Sequence, residues 1–220
     1  MKAIQVKYYV ELGPCPIQLR GVRHTLPLMR LTLLFLLTSA VLMSASPAEP
    51  PVFEITIEKS TIKFDVEASV TIVGKFDKWD AELTFTSPEL STGVLDIKIQ
   101  AASVDTGNGM KNRKLKSKDF FDVENNPLIT FHSTKVEQTG PNTVAFDGDF
   151  TIRGVTKQER LTLTLPRERT GVDTVNGTMA FDRKQFGMNS GIPFIKIADR
   201  VEVTVNLKAK RVSGARVNLK

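Results

Sequence analysis

From Phe53 onward, apolar and polar residues alternate with a period of two, which marks half-buried strands rather than helices. Phe53, Ile55 and Ile57 alternate with Glu54, Thr56 and Glu58, and Ile62, Phe64 and Val66 with Lys63, Asp65 and Glu67. The same habit runs through Ala81, Leu83 and Phe85, then Leu95, Ile97, Ile99 and Ala101. It resumes at Val144, Phe146, Phe150 and Ile152, at Leu161, Leu163 and Leu165, at Val175, Met179 and Phe181, and at Val201, Val203, Val205 and Leu207. Turn residues separate the runs: Ser91-Thr92-Gly93, Thr139-Gly140-Pro141-Asn142, Thr170-Gly171 and Asn189-Ser190-Gly191.

About eight strands with one apolar face each are satisfied by a two-sheet sandwich or by a sheet closed on itself. A closed barrel of about eight strands removes the edges and leaves an interior just wide enough for side chains or one ligand. The exception to the alternation is 109–121, GMKNRKLKSKDFF, which predicts a short helix or ordered loop.

The first 48 residues are different. The run LTLLFLLTSAVL (31–42) is uncharged, too short to span a bilayer comfortably, and fits the apolar region of a signal peptide. Small residues follow it, so cleavage is expected after Ala48, with Ser46 and Ala48 at the small-residue positions. Met29-Arg30 makes a better start to such a leader than the Pro-containing stretch before it. The expected organisation is a leader over 1–48, a β-barrel domain over 49–210 and a C-terminal tail over 211–220. The expected setting is periplasmic or secreted, without stable membrane insertion once the leader is removed. Cys15 lies in the leader, so the mature chain has no cysteine, as suits an oxidising compartment.

Charge changes meaning once the leader is set aside. The whole chain carries 30 Lys plus Arg against 24 Asp plus Glu. Lys2, Lys7, Arg20, Arg23, Arg30 and Glu11 fall in the first 48 residues, which leaves 25 basic against 23 acidic residues. The basic excess belongs largely to the leader, and a nucleic-acid partner is not expected. Catalytic chemistry finds little support. His132 is the sole histidine after the leader and reads as an exposed strand residue. Asp147 and Asp149 share a polar face, and the single Asp105-Thr106-Gly107 triplet reads as a turn rather than half of an aspartic-protease dyad. No metal site, cofactor or enzymatic activity is expected.

Two compositional features remain. Lys111, Arg113, Lys114, Lys116 and Lys118 cluster within eight residues, either as a solvated loop or as a site for an anionic headgroup. Twelve of the 13 Phe and the sole Trp79 follow the leader, while both Tyr lie within it. Rings without hydroxyls suit either a packed core or an apolar ligand wall.

The order of motifs resembles the YceI-like polyisoprenoid-binding family of secreted bacterial proteins. The resemblance runs from about Glu54 to Ala209 through STIKFDVEA (60–68), VGKFDKWDAELTF (73–85), AASVDTGNGMKN (101–112) and LKSKDFFDVENNPLITFHST (115–134). It continues through GDFTIRGVTK (148–157), FDRKQFGM (181–188) and ADRVEVTVNLKAK (198–210). It implies an antiparallel, eight-stranded, lipocalin-like extended barrel that holds a long isoprenoid chain, such as a polyprenyl phosphate or a quinone tail. Two departures stand out. Ala68 occupies a position where many members have His, and Lys111-Asn112 stands where many show Arg-Asp. Both weaken any polar contact carried over from the family.

On this reading the inward lining comprises Phe64, Val66, Phe85, Ile97, Ile99, Phe131, Phe146, Phe150, Leu163, Met179 and Phe181. Phe120, Phe121 and Trp79 are candidates for a mouth or lid, and Lys111, Arg113 and Lys114 for a headgroup contact. The resemblance is also compatible with a homodimer. Two other readings stay open: a filled barrel acting as a stress-response or protein-interaction module, and an enzyme acting on a lipid-like substrate.

Overall fold

The computed structural model describes residues 48–69, 71–166, 172–191 and 196–219. The expected signal segment, the alternative start at Met29 and the Thr170-Gly171 turn lie outside the described residues. Among the described residues eleven strands form one antiparallel sheet, with one short α-helix. The strands are β1 (Val52–Ile55), β2 (Thr61–Ala68), β3 (Ile72–Phe76), β4 (Trp79–Thr84), β5 (Val94–Gln100) and β6 (Val104–Asp105). After helix α1 (Gly109–Lys116) come β7 (Leu128–Gly140), β8 (Thr143–Ile152), β9 (Val155–Thr164), β10 (Val172–Asp182) and β11 (Ile197–Ser213). No helix among the described residues is long and apolar enough to cross a membrane.

The all-β, strongly curled architecture agrees with the alternation, but the strand count exceeds the expected eight. Sharp corners account for most of the surplus. The sheet runs β4-β5-β7-β8-β9-β10-β11-β2-β3-β6, with β1 added beside β11. Its first member, β4, and β3 near its other end are joined by only Asp77 and Lys78. The run β5–β6 bends at the same level through Ala101–Ser103 and keeps its antiparallel pairing, Trp79 facing Ile99 before the bend and Lys75 facing Asp105 after it. At the corner the Asp77 amide donates to the Ser103 carbonyl at 3.2 Å and the Gln100 amide to that of Lys78 at 2.9 Å. Two bent runs thus stand for four strands, and only β1 is additional.

Below that corner the ring is looser. β1 pairs with β11, Ile55 facing Ala209. It lies near β4 with no ladder between them among the described residues, and the Phe53 and Phe85 rings meet across the seam at 5.8 Å between centroids.

Burial follows the predicted period. On β2, Ile62, Phe64 and Val66 are buried while Thr61, Lys63, Asp65 and Glu67 are exposed. The β8–β9 connection is a two-residue turn whose central residues, Arg153 and Gly154, have φ of 54° and 71°, as the right-handed twist of a tight hairpin demands. At mid-barrel, β7 carries an irregularity between Ser133 and Lys135. There Ser133 is buried and its Oγ accepts the Leu95 amide at 2.8 Å. Gly148 sits opposite, and a Cβ on it would strike the His132 carbonyl, so only glycine fits this close approach.

Candidate functional site

Described residues of the barrel interior line an upper and a lower cavity. The upper one is wrapped by the elements nearest α1, the C-terminal end of β2 and the β8–β9 turn. The lower one lies between β1, the ends of β4 and β9, the start of β10, and the last residues of the chain. Their boundary passes between Leu95 and Ile97, Phe146 and Phe150, Leu161 and Leu163, and Val205 and Leu207.

The upper cavity measures about 90 Å³. Phe64, Val66, Ile97, Ile99, Phe131, Phe150, Met179 and Phe181 face it, as do Phe120 and Phe121. Two aromatic clusters fill most of this level. Phe64, Phe76 and Phe121 lie 5.6–6.3 Å apart between centroids. Phe150, Phe181 and Phe186 pack 5.2–5.5 Å apart in tilted and edge-on pairs, the geometries that ring quadrupoles favour.

The top is closed by a plug with its own polar framework. Asn108 caps α1, its Oδ1 accepting the Met110 and Lys111 amides at 2.9 and 3.1 Å. Leu115 on α1 is buried against the cavity. Arg183, only 6% exposed, donates to the carbonyls of Ala198 (3.0 Å), Ser190 (3.2 Å), Ile197 (3.5 Å) and Met188, and approaches Asp199 at 3.3 Å. A buried guanidinium is tolerable because carbonyl oxygens use its donors. Arg153, at the β8–β9 turn, donates to the carbonyls of Gly187 and of Lys118 (3.0 Å) and ties three loops together. Nothing in the sequence pattern marks Arg183 as buried, since its partners, loop carbonyls and Asp199, come to it from a separate loop and strand.

The predicted headgroup residues sit on this plug and line neither cavity. Lys114 pairs with Asp119 at 2.5 Å and lies 5.8 Å from the Phe120 ring centroid. The Lys114 ammonium holds the Asp119 carboxyl below its usual range. Arg113 is exposed and Lys111 half-buried. Asn112 is committed to local architecture: its Oδ1 accepts from Thr106 N (2.8 Å) and Thr106 Oγ1 (2.7 Å), and its Nδ2 donates to Asp105 at 3.1 Å. The Gly107 amide, followed by Asn112, holds the Asp105 carboxyl below its usual range, the opposite of a proton-sharing catalytic pair. Ala68 faces Ile197, and Trp79 is buried near the corner without lining either cavity. His132 is exposed and meets Asp96 at 2.7 Å. Arg160 clamps Asp147 on the outer face at 2.6 and 2.7 Å.

The lower cavity is four times larger, about 360 Å³. Phe85, Phe146 and Leu163 line it, together with Phe53, Ile55, Leu83, Leu90, Leu95, Val144, Val175 and Leu207. Its remaining wall comes partly from the region set apart in the sequence as a tail. β11 continues to Ser213, the chain turns at Gly214 (φ 76°), and Arg211, Arg216, Val217 and Leu219 all face the cavity. The signal was present as a last alternation, Val217 and Leu219 against Arg216 and Asn218.

Comparison with known proteins places this architecture. Residues 53–209 match the model of the YceI-like domain. A UPF0312 protein of Pseudomonas savastanoi pv. phaseolicola is 30% identical over 135 residues, which cover 58% of this chain and 69% of that one. The crystal structure of Burkholderia cenocepacia BcnA aligns with a TM-score of 0.64 at 25% identity, covering 71% of this chain and 99% of BcnA. A polyisoprenoid binding domain from Saccharophagus degradans, described as implicated in plant cell wall breakdown, shares the fold with a TM-score of 0.55 at 13% identity, over 73% of this chain and 99% of that domain. With the model covering most of the chain and the curled sheet reproduced in solved relatives, the protein belongs to the YceI-like family.

Proposed function

We propose that this protein sequesters or carries a long-chain isoprenoid lipid, a polyprenyl phosphate or an isoprenoid quinone, with the chain held in the lower cavity. The proposed setting is the periplasm or the exterior of the cell. The observation that carries this reading is the apolar cavity of about 360 Å³. Ligand pockets commonly span about 300–1,000 Å³ and are mostly apolar with a few polar groups. At about 90 Å³ the upper cavity is smaller than an engineered void of about 150 Å³ that accommodates benzene. Family membership supports the reading, and so does the shared fold of the Saccharophagus domain, whose name states polyisoprenoid binding.

Binding then needs no bond-making chemistry. Each CH₂ moved from water into the cavity contributes about 0.8 kcal/mol before entropy costs. The knobbed wall of Phe, Leu and Val suits a methyl-branched chain, because dispersion is lost wherever a gap remains. The seam between β1 and β4 supplies a flank without ladder hydrogen bonds, so a chain entering there breaks none between those strands. Mass spectrometry of an organic extract of purified protein is expected to reveal an isoprenoid at near-stoichiometric amount. No co-purified lipid, together with no uptake of added geranylgeraniol or geranylgeranyl phosphate, contradicts the proposal and favours a filled barrel that engages proteins.

A further inference from the structure

Among the described residues lining the lower cavity, only Arg211 and Arg216 are charged, and no described Asp or Glu joins them. Both lie beyond residues 53–209, the span matched by the family model. Their placement is built rather than incidental. Gly214 reverses the chain with φ of 76°, and a Cβ there would collide with the Pro50 carbonyl. The Ala215 amide then donates to the Glu49 carbonyl at 2.9 Å and the Asn218 amide to that of Pro88 at 2.8 Å. Asn218 Nδ2 also engages the Glu89 carboxylate at 2.7 Å. These bonds hold the segment across the cavity edge with Val217 and Leu219 facing the interior and Arg216 at the exposed rim. Arg211 Nη1 donates to the Gly214 carbonyl at 2.5 Å, and neither arginine forms an ion pair among the described residues.

An apolar chamber whose described charged lining is cationic fits a ligand with a hydrocarbon body and an anionic end. Guanidinium groups suit phosphate oxygens, since their planar donors can bind two at once. We propose that Arg211 and Arg216 form the headgroup site of the lower cavity, and that the isoprenoid held there ends in a phosphate rather than a neutral quinone ring. This rests on the isoprenoid reading above and moves the headgroup from α1 to the opposite end of the barrel.

The test compares binding of geranylgeranyl monophosphate, geranylgeraniol and inorganic phosphate by titration calorimetry. Three proteins are used: the unaltered chain, R211Q/R216Q, and K111Q/R113Q/K114Q. R216Q alone is a fourth sample, because Arg216 is exposed and its loss leaves the Arg211–Gly214 contact in place. The unaltered protein is expected to bind the phosphate ester at least tenfold more tightly than the alcohol. R211Q/R216Q should lose that advantage while keeping its affinity for the alcohol, R216Q should lose part of it, and the α1 variant should retain it. Inorganic phosphate at equal concentration should not displace the ester; displacement would show a free-anion site and overturn the proposal. Equal affinity for ester and alcohol in the unaltered protein overturns it too, leaving the isoprenoid reading intact, as does loss of the advantage only in the α1 variant. Binding of neither lipid overturns the isoprenoid reading itself, and this proposal with it.

Discussion

The two levels of the barrel share β5, β8, β9, β10 and β11 and use nearly the same residue types, yet they do opposite things with them. Above the middle, Phe150, Phe181 and Phe186 interlock and Phe186 is fully buried, so the rings fill their own space. Below it, Phe53, Phe85 and Phe146 stand around a void. The upper level is bounded by a plug that Arg153 and Arg183 fasten to loop carbonyls. The lower level has a seam without a ladder between β1 and β4, and a rim laid down by the end of the chain. A strand's apolar face therefore does not by itself declare a ligand site. What decides is whether neighbouring rings meet at van der Waals contact or leave a gap.

The largest expected effect separates the two levels by stability. Phe186→Ala should cost about 3–5 kcal/mol in denaturant unfolding, because it removes a fully buried ring from a three-ring cluster. Phe85→Ala, at a half-buried ring on the lower wall, should cost clearly less. Equal losses would mean that the lower wall is as tightly packed as the upper.

Next comes a comparison by uptake. Phe146→Trp should reduce binding of geranylgeraniol about tenfold or more while the protein stays folded, because the larger ring fills the lower cavity. Phe181→Trp should leave uptake nearly unchanged and instead destabilise the fold by about 1–3 kcal/mol through overpacking. The reverse pattern would place the ligand in the upper level.

A smaller effect lies on β9 beside the upper cavity. Among the described residues the ladder from β9 to β10 covers Thr162–Thr164, and Glu159, beyond its end, is partly desolvated with no described cation to compensate. Burial pushes its carboxyl above the usual glutamate range. A carboxyl raised on folding binds its proton more tightly in the native state, so its contribution is favourable at low pH. That contribution is lost as pH rises from the unfolded value through the folded one. Glu159→Gln should therefore leave stability at low pH nearly unchanged, slightly stabilise the protein at neutral pH and so steepen the rise between them, as thermal melts at pH 4 to 7 would show. An unchanged profile would mean that this carboxylate is fully solvated.

How much of this was legible in the sequence depends on the range of the interaction involved. Alternation is local, and Phe64, Val66, Ile97 and Phe146, which it places on one apolar face of their strands, are buried. Their level along the barrel depends on register across strands far apart in sequence, Val203 against Phe64 for instance, and period two is blind to it. The corner at Asp77-Lys78 was equally hidden, because it depends on Ser103 arriving from another strand. The cluster at 111–118 drew attention as a charge run. In the fold Lys114 and Asn112 secure α1 and the loops around it, whereas two arginines after Ala209 reach a cavity.

The central claim, that the ligand occupies the lower level, is tested most directly by photo-cross-linking with a diazirine-bearing geranylgeranyl phosphate followed by peptide mass spectrometry. The account predicts adducts within 83–95, 144–146 and 207–219. Adducts concentrated in 115–131 and 179–188 would contradict it and return the site to the upper level.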